Sequence, residues 1–229
     1  MRSFKSLLVI LTIILSSSLF AQADSSNLSN QLQAHLVNGF AFSYLNYLSP
    51  AAAIRYKIDV ELSVSSVNNE RKNNSGDQYS SQQSSYEEKV NSNSQSIGLS
   101  PQFLWISEIV SRLTVYTGAG PYFGYSRNYS NTKNTQANTN MESLTNESIY
   151  ESSTFSVGAI GVLGLQCEIT KTISVIAEYN LTAYYSWGNN SNENSSQSNT
   201  YINKSKSDYD SDSWNLSLSS IKLGIGFRF

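Results

Sequence analysis

Cysteine and histidine each occur once in these 229 residues, as Cys167 and His35, and proline only three times. A single cysteine excludes an intramolecular disulfide. Its alternation phase sets Cys167 on the opposite strand face from His35, so the two do not make a metal-ligand set. Basic charge is scarce too: 15 Lys and Arg stand against 17 Asp and Glu, a net of −2. Nucleic-acid binding needs a basic patch, and none is present. Nor does any nucleophile–base motif stand out among the many serines, so the sequence predicts neither an enzyme nor a cofactor.

Long apolar runs are also missing, with one exception. Leu7–Leu15 is apolar, preceded by Arg2 and Lys5 and followed by Ala21-Gln22-Ala23. This run is too short for a membrane-spanning helix, which needs about 18 or more residues. Its three parts match a secretory signal, with cleavage expected after Ala23. Residues 1–23 are therefore assigned as a signal peptide and 24–229 as one domain. Loss of Arg2 and Lys5 would take the net charge to −4.

What remains is rich in two-residue alternation. In "AIRYKIDVELSV", Ala52, Ile54, Tyr56, Ile58, Val60, Leu62 and Val64 share one face, and Arg55, Lys57, Asp59 and Glu61 the other. A run this long exceeds the usual strand of about 5–6 residues and suffices for a tilted strand crossing a bilayer, which needs about 9–11. Ile97–Trp105, Leu113–Tyr125, Phe155–Cys167 and Ile173–Trp187 repeat the pattern, with Ile160 and Val162 blurring one of them. In the last segment Trp214, Leu216 and Leu218 hold one phase and Ile221 to Phe229 the other, a slip that predicts a β-bulge near Ser219 and Ser220.

Connections alternate in length. "SPA", "SEIVS" and "TKT" predict short turns, whereas 67–90, 128–149 and 188–212 predict long polar loops. Bacterial barrels carry an even number of strands, and Asn38-Gly39 supplies the missing hairpin. A three-residue loop, Val37-Asn38-Gly39, would pair Leu36 with Phe40, Ala34 with Phe42 and Leu32 with Tyr44. A type I turn followed by a left-handed Gly39 fits that loop. The total is eight strands.

The apolar faces carry no charge, which would cost about 2–4 kcal/mol at mid-bilayer. The polar faces carry both signs, and an eight-stranded interior is just wide enough for side chains to fill. Arg55, Lys57, Asp59, Glu61, Glu178, Lys222 and Arg228 are thus expected inside the lumen, pairing with one another. Aromatic residues gather near strand ends, as interfacial girdles would. The expected fold is all-β: an eight-stranded antiparallel up-and-down transmembrane β-barrel with short periplasmic turns and long extracellular loops.

With its signal, eight amphipathic strands and "IKLGIGFRF" ending in Phe229, the chain resembles the small outer-membrane β-barrel proteins of the OmpA/OmpX type. The resemblance spans the mature chain, though its specific motif covers the last nine residues. It implies a Gram-negative outer-membrane location. It also implies that Ile221, Leu223, Ile225, Phe227 and Phe229 form the signal read by the barrel assembly machinery.

Some barrels of this size modify lipids, but His35, facing the lumen by parity, has no identifiable serine and acid beside it. Asp208, Asp210 and Asp212 alternate without the glycine and glutamate of a calcium loop. The expected role is non-enzymatic: a monomer in outer-membrane lipid, structural or contacting an extracellular ligand through 67–90, 128–149 and 188–212. A transporter of small hydrophobic molecules is the alternative, and a lipid-modifying enzyme a more distant one. An apolar pocket opening sideways would favour transport.

Overall fold

The computed structural model describes residues 30–77, 80–138, 141–198 and 200–229. The signal peptide assigned to 1–23, and the start of the first expected strand at Leu28, lie outside them. Nine strands are present among the described residues: β1 Asn30–Val37, β2 Phe40–Ser49, β3 Ala52–Asp77, β4 Ser80–Val110, β5 Leu113–Asn138, β6 Met141–Glu168, β7 Ile173–Gln197, β8 Ile202–Leu218 and β9 Lys222–Arg228. All pair antiparallel. From β1 to β8 neighbours in sequence pair in space, and β9 closes the ring between β7 and β1. Because β8 and β9 lie end to end along β7, the ring has eight positions.

Its geometry follows from register. From Ala34 the ladder runs through Phe42, Ile58, Leu99, Phe123 and Val157 to Tyr185 on β7. In the other direction it passes through Ile225 and reaches Val175, ten residues away on the same strand. That offset is the shear of the ring, and with eight strands it sets a tilt of about 40°. The ladder therefore climbs around the barrel as it passes from β1 towards β7.

Three sequence-based expectations need correction. The described residues of 67–90, 128–149 and 188–212 are mostly strand rather than loop: the upper parts of β3 to β7, which run 25 to 31 residues, and much of β8, which runs 17. They lack hydrophobic alternation because neither face needs an apolar environment. Cross-strand polar bonds hold them instead, such as Ser66 to Asn91 at 2.8 Å, Ser94 to Asn128 at 2.6 Å and Asn131 to Glu147 at 2.9 Å.

The β1–β2 hairpin has the expected three-residue register, with Ala34 opposite Phe42 and Leu32 opposite Tyr44. Its turn is not type I, because Asn38 is left-handed at φ 60° as well as Gly39 at 122°. Asparagine tolerates this conformation. Here its side-chain amide also donates to the Ile221 carbonyl at 2.7 Å, tying the turn to the end of the ring.

The third correction concerns the final segment. Rather than a bulge within one strand, residues 219–221 form a break between β8 and β9. The Ser219 amide donates to the Asn180 carbonyl, and the Asn180 amide to Ser219 Oγ, each at 2.9 Å. The break marks a change of neighbours: β9 is bonded on both edges, β8 only to β7.

The result is a two-tier body. Below, eight positions close completely, joined by tight turns at Pro50-Ala51 and Ser111-Arg112 and a short link at 169–172. Above, six strands from β3 round to β8 continue as an open sheet. The barrel is inside out: Phe42, Tyr56, Leu99, Phe123, Val157, Leu181 and Ile225 face outward, while Gln31, Gln33, Arg55, Lys57 and Glu178 are buried within.

Candidate functional site

Strand parity sends Arg55 and Lys57 inward from β3 and Glu178 inward from β7, which lies four positions away around the ring. Both Arg55 Nη1 and Lys57 Nζ donate to the Glu178 carboxylate. All three side chains are fully buried. Tyr116 Oη adds a third bond to Glu178 Oε2 at 3.0 Å, and Arg55 stacks over the Tyr116 ring at 5.6 Å. The other edge of the guanidinium donates to Gln102 Oε1. Gln102 in turn donates to Ser100, and Ser43 donates to Gln33. Burying an ion costs several kcal/mol unless it is paired and its remaining valences are satisfied. The arrangement meets that condition and closes the lumen with a bonded layer.

His35 lies beside this layer, completely buried, with Nε2 3.8 Å from Glu178 Oε2. Neither of its ring nitrogens has a hydrogen-bond partner among the described residues, and no described serine is bonded to it. Glu178 is engaged by Arg55, Lys57 and Tyr116 and makes no hydrogen bond to His35.

The other expected lumen charges divide by height. Above the layer, Lys222 Nζ donates to Asp59 Oδ1 at 2.6 Å. Glu61, expected inside, is instead exposed at the rim, because β2 ends opposite Val60 and no wall stands beside it. At the lower end, Arg228 bonds Glu168 at 2.6 Å and stacks over Tyr47 at 5.4 Å. Ile221, Leu223, Ile225 and Phe227 are exposed on the outer face, while the Phe229 amide donates to the Asn30 carbonyl at 3.1 Å.

The sequence did not disclose Tyr116, Gln102 or Glu168 as partners. Nor did it disclose a small apolar cluster inside the lumen, formed by Leu45, Ala53, Leu104, Tyr116, Val162 and Ile176. The signal was present: Leu104, Val162 and Ile176 are apolar residues in the polar phase, with Leu104 and Ile176 one inward step below Gln102 and Glu178 on their strands. Two cavities flank this plug. A lower one of about 610 Å³ is lined by Tyr47, Ile106, Glu108, Arg112 and Arg228, among others. An upper one of about 390 Å³ is lined by Asp59, Glu61, Tyr122, Asn180, Tyr184 and Lys222, among others.

No protein-family model and no curated protein matches the sequence. Solved structures do resemble the fold. CarO of Acinetobacter baumannii aligns over 88% of this chain and 97% of its own, with 12% identity and a TM-score of 0.39. CarO2 of the same organism aligns over 88% and 97%, with 10% identity and a TM-score of 0.34. A major outer membrane protein of Thermus thermophilus covers 87% of this chain and 98% of its own, with 15% identity and a TM-score of 0.34. The chain is thus similar in structure to small outer-membrane β-barrel proteins, without a sequence family to place it in.

Proposed function

We propose that the protein is an exported, non-enzymatic outer-membrane barrel of the OmpA/OmpX kind, whose lumen is closed and whose upper sheet stands outside the cell as a contact surface. A single observation carries the reading: a complete ring of strands shows a charge-free apolar belt outward and keeps Arg55, Lys57 and Glu178 buried and bonded inside. In water such a belt would be a very large exposed apolar patch. In a bilayer it is the required surface, and the lower tier presents it from a closed ring whose strands are paired on both edges.

Aromatic side chains mark the top of the belt. Tyr125 and Phe155 pack at 4.9 Å, Phe155 and Trp187 at 6.3 Å, and Tyr185 and Trp214 at 5.2 Å. Above them the strands turn to Asn, Ser, Thr and charged residues. The sheet above the girdle is where an extracellular ligand would be met, in place of the loops expected from sequence. Both cavities mix polar and apolar groups in their lining, so neither is the apolar pocket that a hydrophobic solute would favour.

Cell fractionation combined with heat-dependent gel mobility tests the reading. Recovery in the outer membrane, with a folded band that shifts on boiling, is the expected result. Recovery as a soluble periplasmic protein would refute it.

A further inference from the structure

The wall of the barrel has a window. Pairing of β2 with β3 ends at Phe40 opposite Val60, and pairing of β1 with β9 ends at Val37 opposite Leu223. Beyond those points β3 is bonded only to β4, and β8 only to β7. Two strand positions are vacant between them, a gap of about 14 Å at ordinary strand spacing. The ladder through Phe40 also runs through Tyr125, and the shear puts Phe40 about 10 Å lower than Tyr125. On the membrane reading given above, on which this point rests, the window opens below the upper girdle, at the level of the outer leaflet. Its margins hold the barest apolar residues of the belt, Val64 at 80% and Trp214 at 81% exposure. Open strand edges at this depth need hydrogen-bonding company that acyl chains do not supply.

Behind the window lies the upper cavity. Tyr122 lies over the Gly98–Gly124 pair: a Cβ on Gly124 would fall 2.7 Å from Tyr122 Oη, and one on Gly98 3.1 Å from its ring. These two bare positions let the ring lie along the wall, where Tyr184 joins it with centroids 5.8 Å apart. Asn180 also lines the cavity, only 4% exposed, and its Oδ1 accepts no hydrogen bond. A buried acceptor left unpaired costs about 1–3 kcal/mol, which a donor on a ligand would recover. Lys222 and Glu61 sit at the mouth, with Lys222 already bonded to Asp59.

We infer that this cavity binds a saccharide unit. A sugar has a ring face of C–H groups to lay on Tyr122 and Tyr184. Its hydroxyls can donate to Asn180 Oδ1 and the Glu61 carboxylate, and accept from Lys222. Two carboxylates against one lysine disfavour a phosphate or another anion. The sugar could come as the glycan of an outer-leaflet lipid, through the window, or as a free oligosaccharide from above.

The test uses the full mature chain, with folding checked by heat-dependent gel mobility. Free maltose and lactose are offered to the protein in detergent, with ligand-observed NMR as readout. Rough lipopolysaccharide is offered in phosphatidylcholine nanodiscs, with native mass spectrometry as readout. Binding of either class is expected, weakened at least about tenfold in both Tyr122→Ala and Asn180→Ala. Binding of lipopolysaccharide alone assigns the window as the route; binding of the free sugars assigns the upper opening. If neither class binds, or if both folded variants bind like the parent, the inference is overturned. The detergent arm stands even if the protein fails to enter nanodiscs, so failure of the membrane reading is told apart from failure of the site.

Discussion

Lys57 and Glu178 form an ion pair across the full width of the barrel, from β3 to the diametrically opposite β7. They are 121 residues apart in sequence. The pair exists because an eight-stranded ring is narrow enough for a lysine and a glutamate to meet at its axis. Arg55, one step below on the same face of β3, binds the same carboxylate.

Removing the acid should therefore be worse than removing the whole set. Glu178→Gln leaves two buried cations facing each other and should cost about 3–5 kcal/mol. Replacing all three together, as Arg55→Met, Lys57→Met and Glu178→Leu, should recover most of that loss. Urea unfolding in lipid vesicles measures both; equal losses in the two variants would show that charge pairing is not what holds the layer.

Gly164 should be coupled to Tyr116. A Cβ there would lie 2.1 Å from Tyr116 Cζ, so Gly164→Ala must displace the ring and its 3.0 Å bond to Glu178. The expected loss is about 1–3 kcal/mol. Tyr116→Phe should add little on top, because the bond it removes is already broken. A double-mutant cycle on unfolding free energies reads the coupling, and strict additivity would argue against it.

The two tiers should differ in accessibility. A Ser211→Cys variant in the upper part of β8 should react with a membrane-impermeant maleimide on intact cells. Cys167, on the outer face near the lower end of β6, should not react until the membrane is opened. Equal labelling of both on intact cells would contradict the orientation proposed here.

Deleting Phe229 tests the terminal segment as an assembly signal. Membrane yield should fall several-fold, with unassembled chain accumulating in the periplasm. Losing one main-chain bond to Asn30 would have a much smaller effect on the finished barrel, so unchanged unfolding in the fraction that does insert separates assembly from stability.

Alternation alone was enough to read the lower tier. Ala52–Val64 in particular states its own strand, its two faces and which one carries charge. The hairpin register also followed from matching Leu32, Ala34 and Leu36 to Tyr44, Phe42 and Phe40. The upper tier was not legible, because a strand with water on both faces carries no hydrophobic period. Residues 67–90 read as loop for that reason, although Asn69 lies directly opposite Glu88 in a continuous ladder. The left-handed Asn38 was hidden as well, since the carbonyl it binds belongs to Ile221, far along the chain.

The sequence by itself determined the strands of the barrel wall, their inside-out polarity and the strand face that carries the charges, because each depends on neighbours two residues apart. Which charges meet was decided only by the closed ring, whose strand number and shear bring Arg55, Lys57 and Glu178 to one level. The window was decided in the same way. It exists because β1 and β2 stop at a turn beside Lys222 while β3 and β8 continue, and the comparison of those heights requires the barrel to be closed.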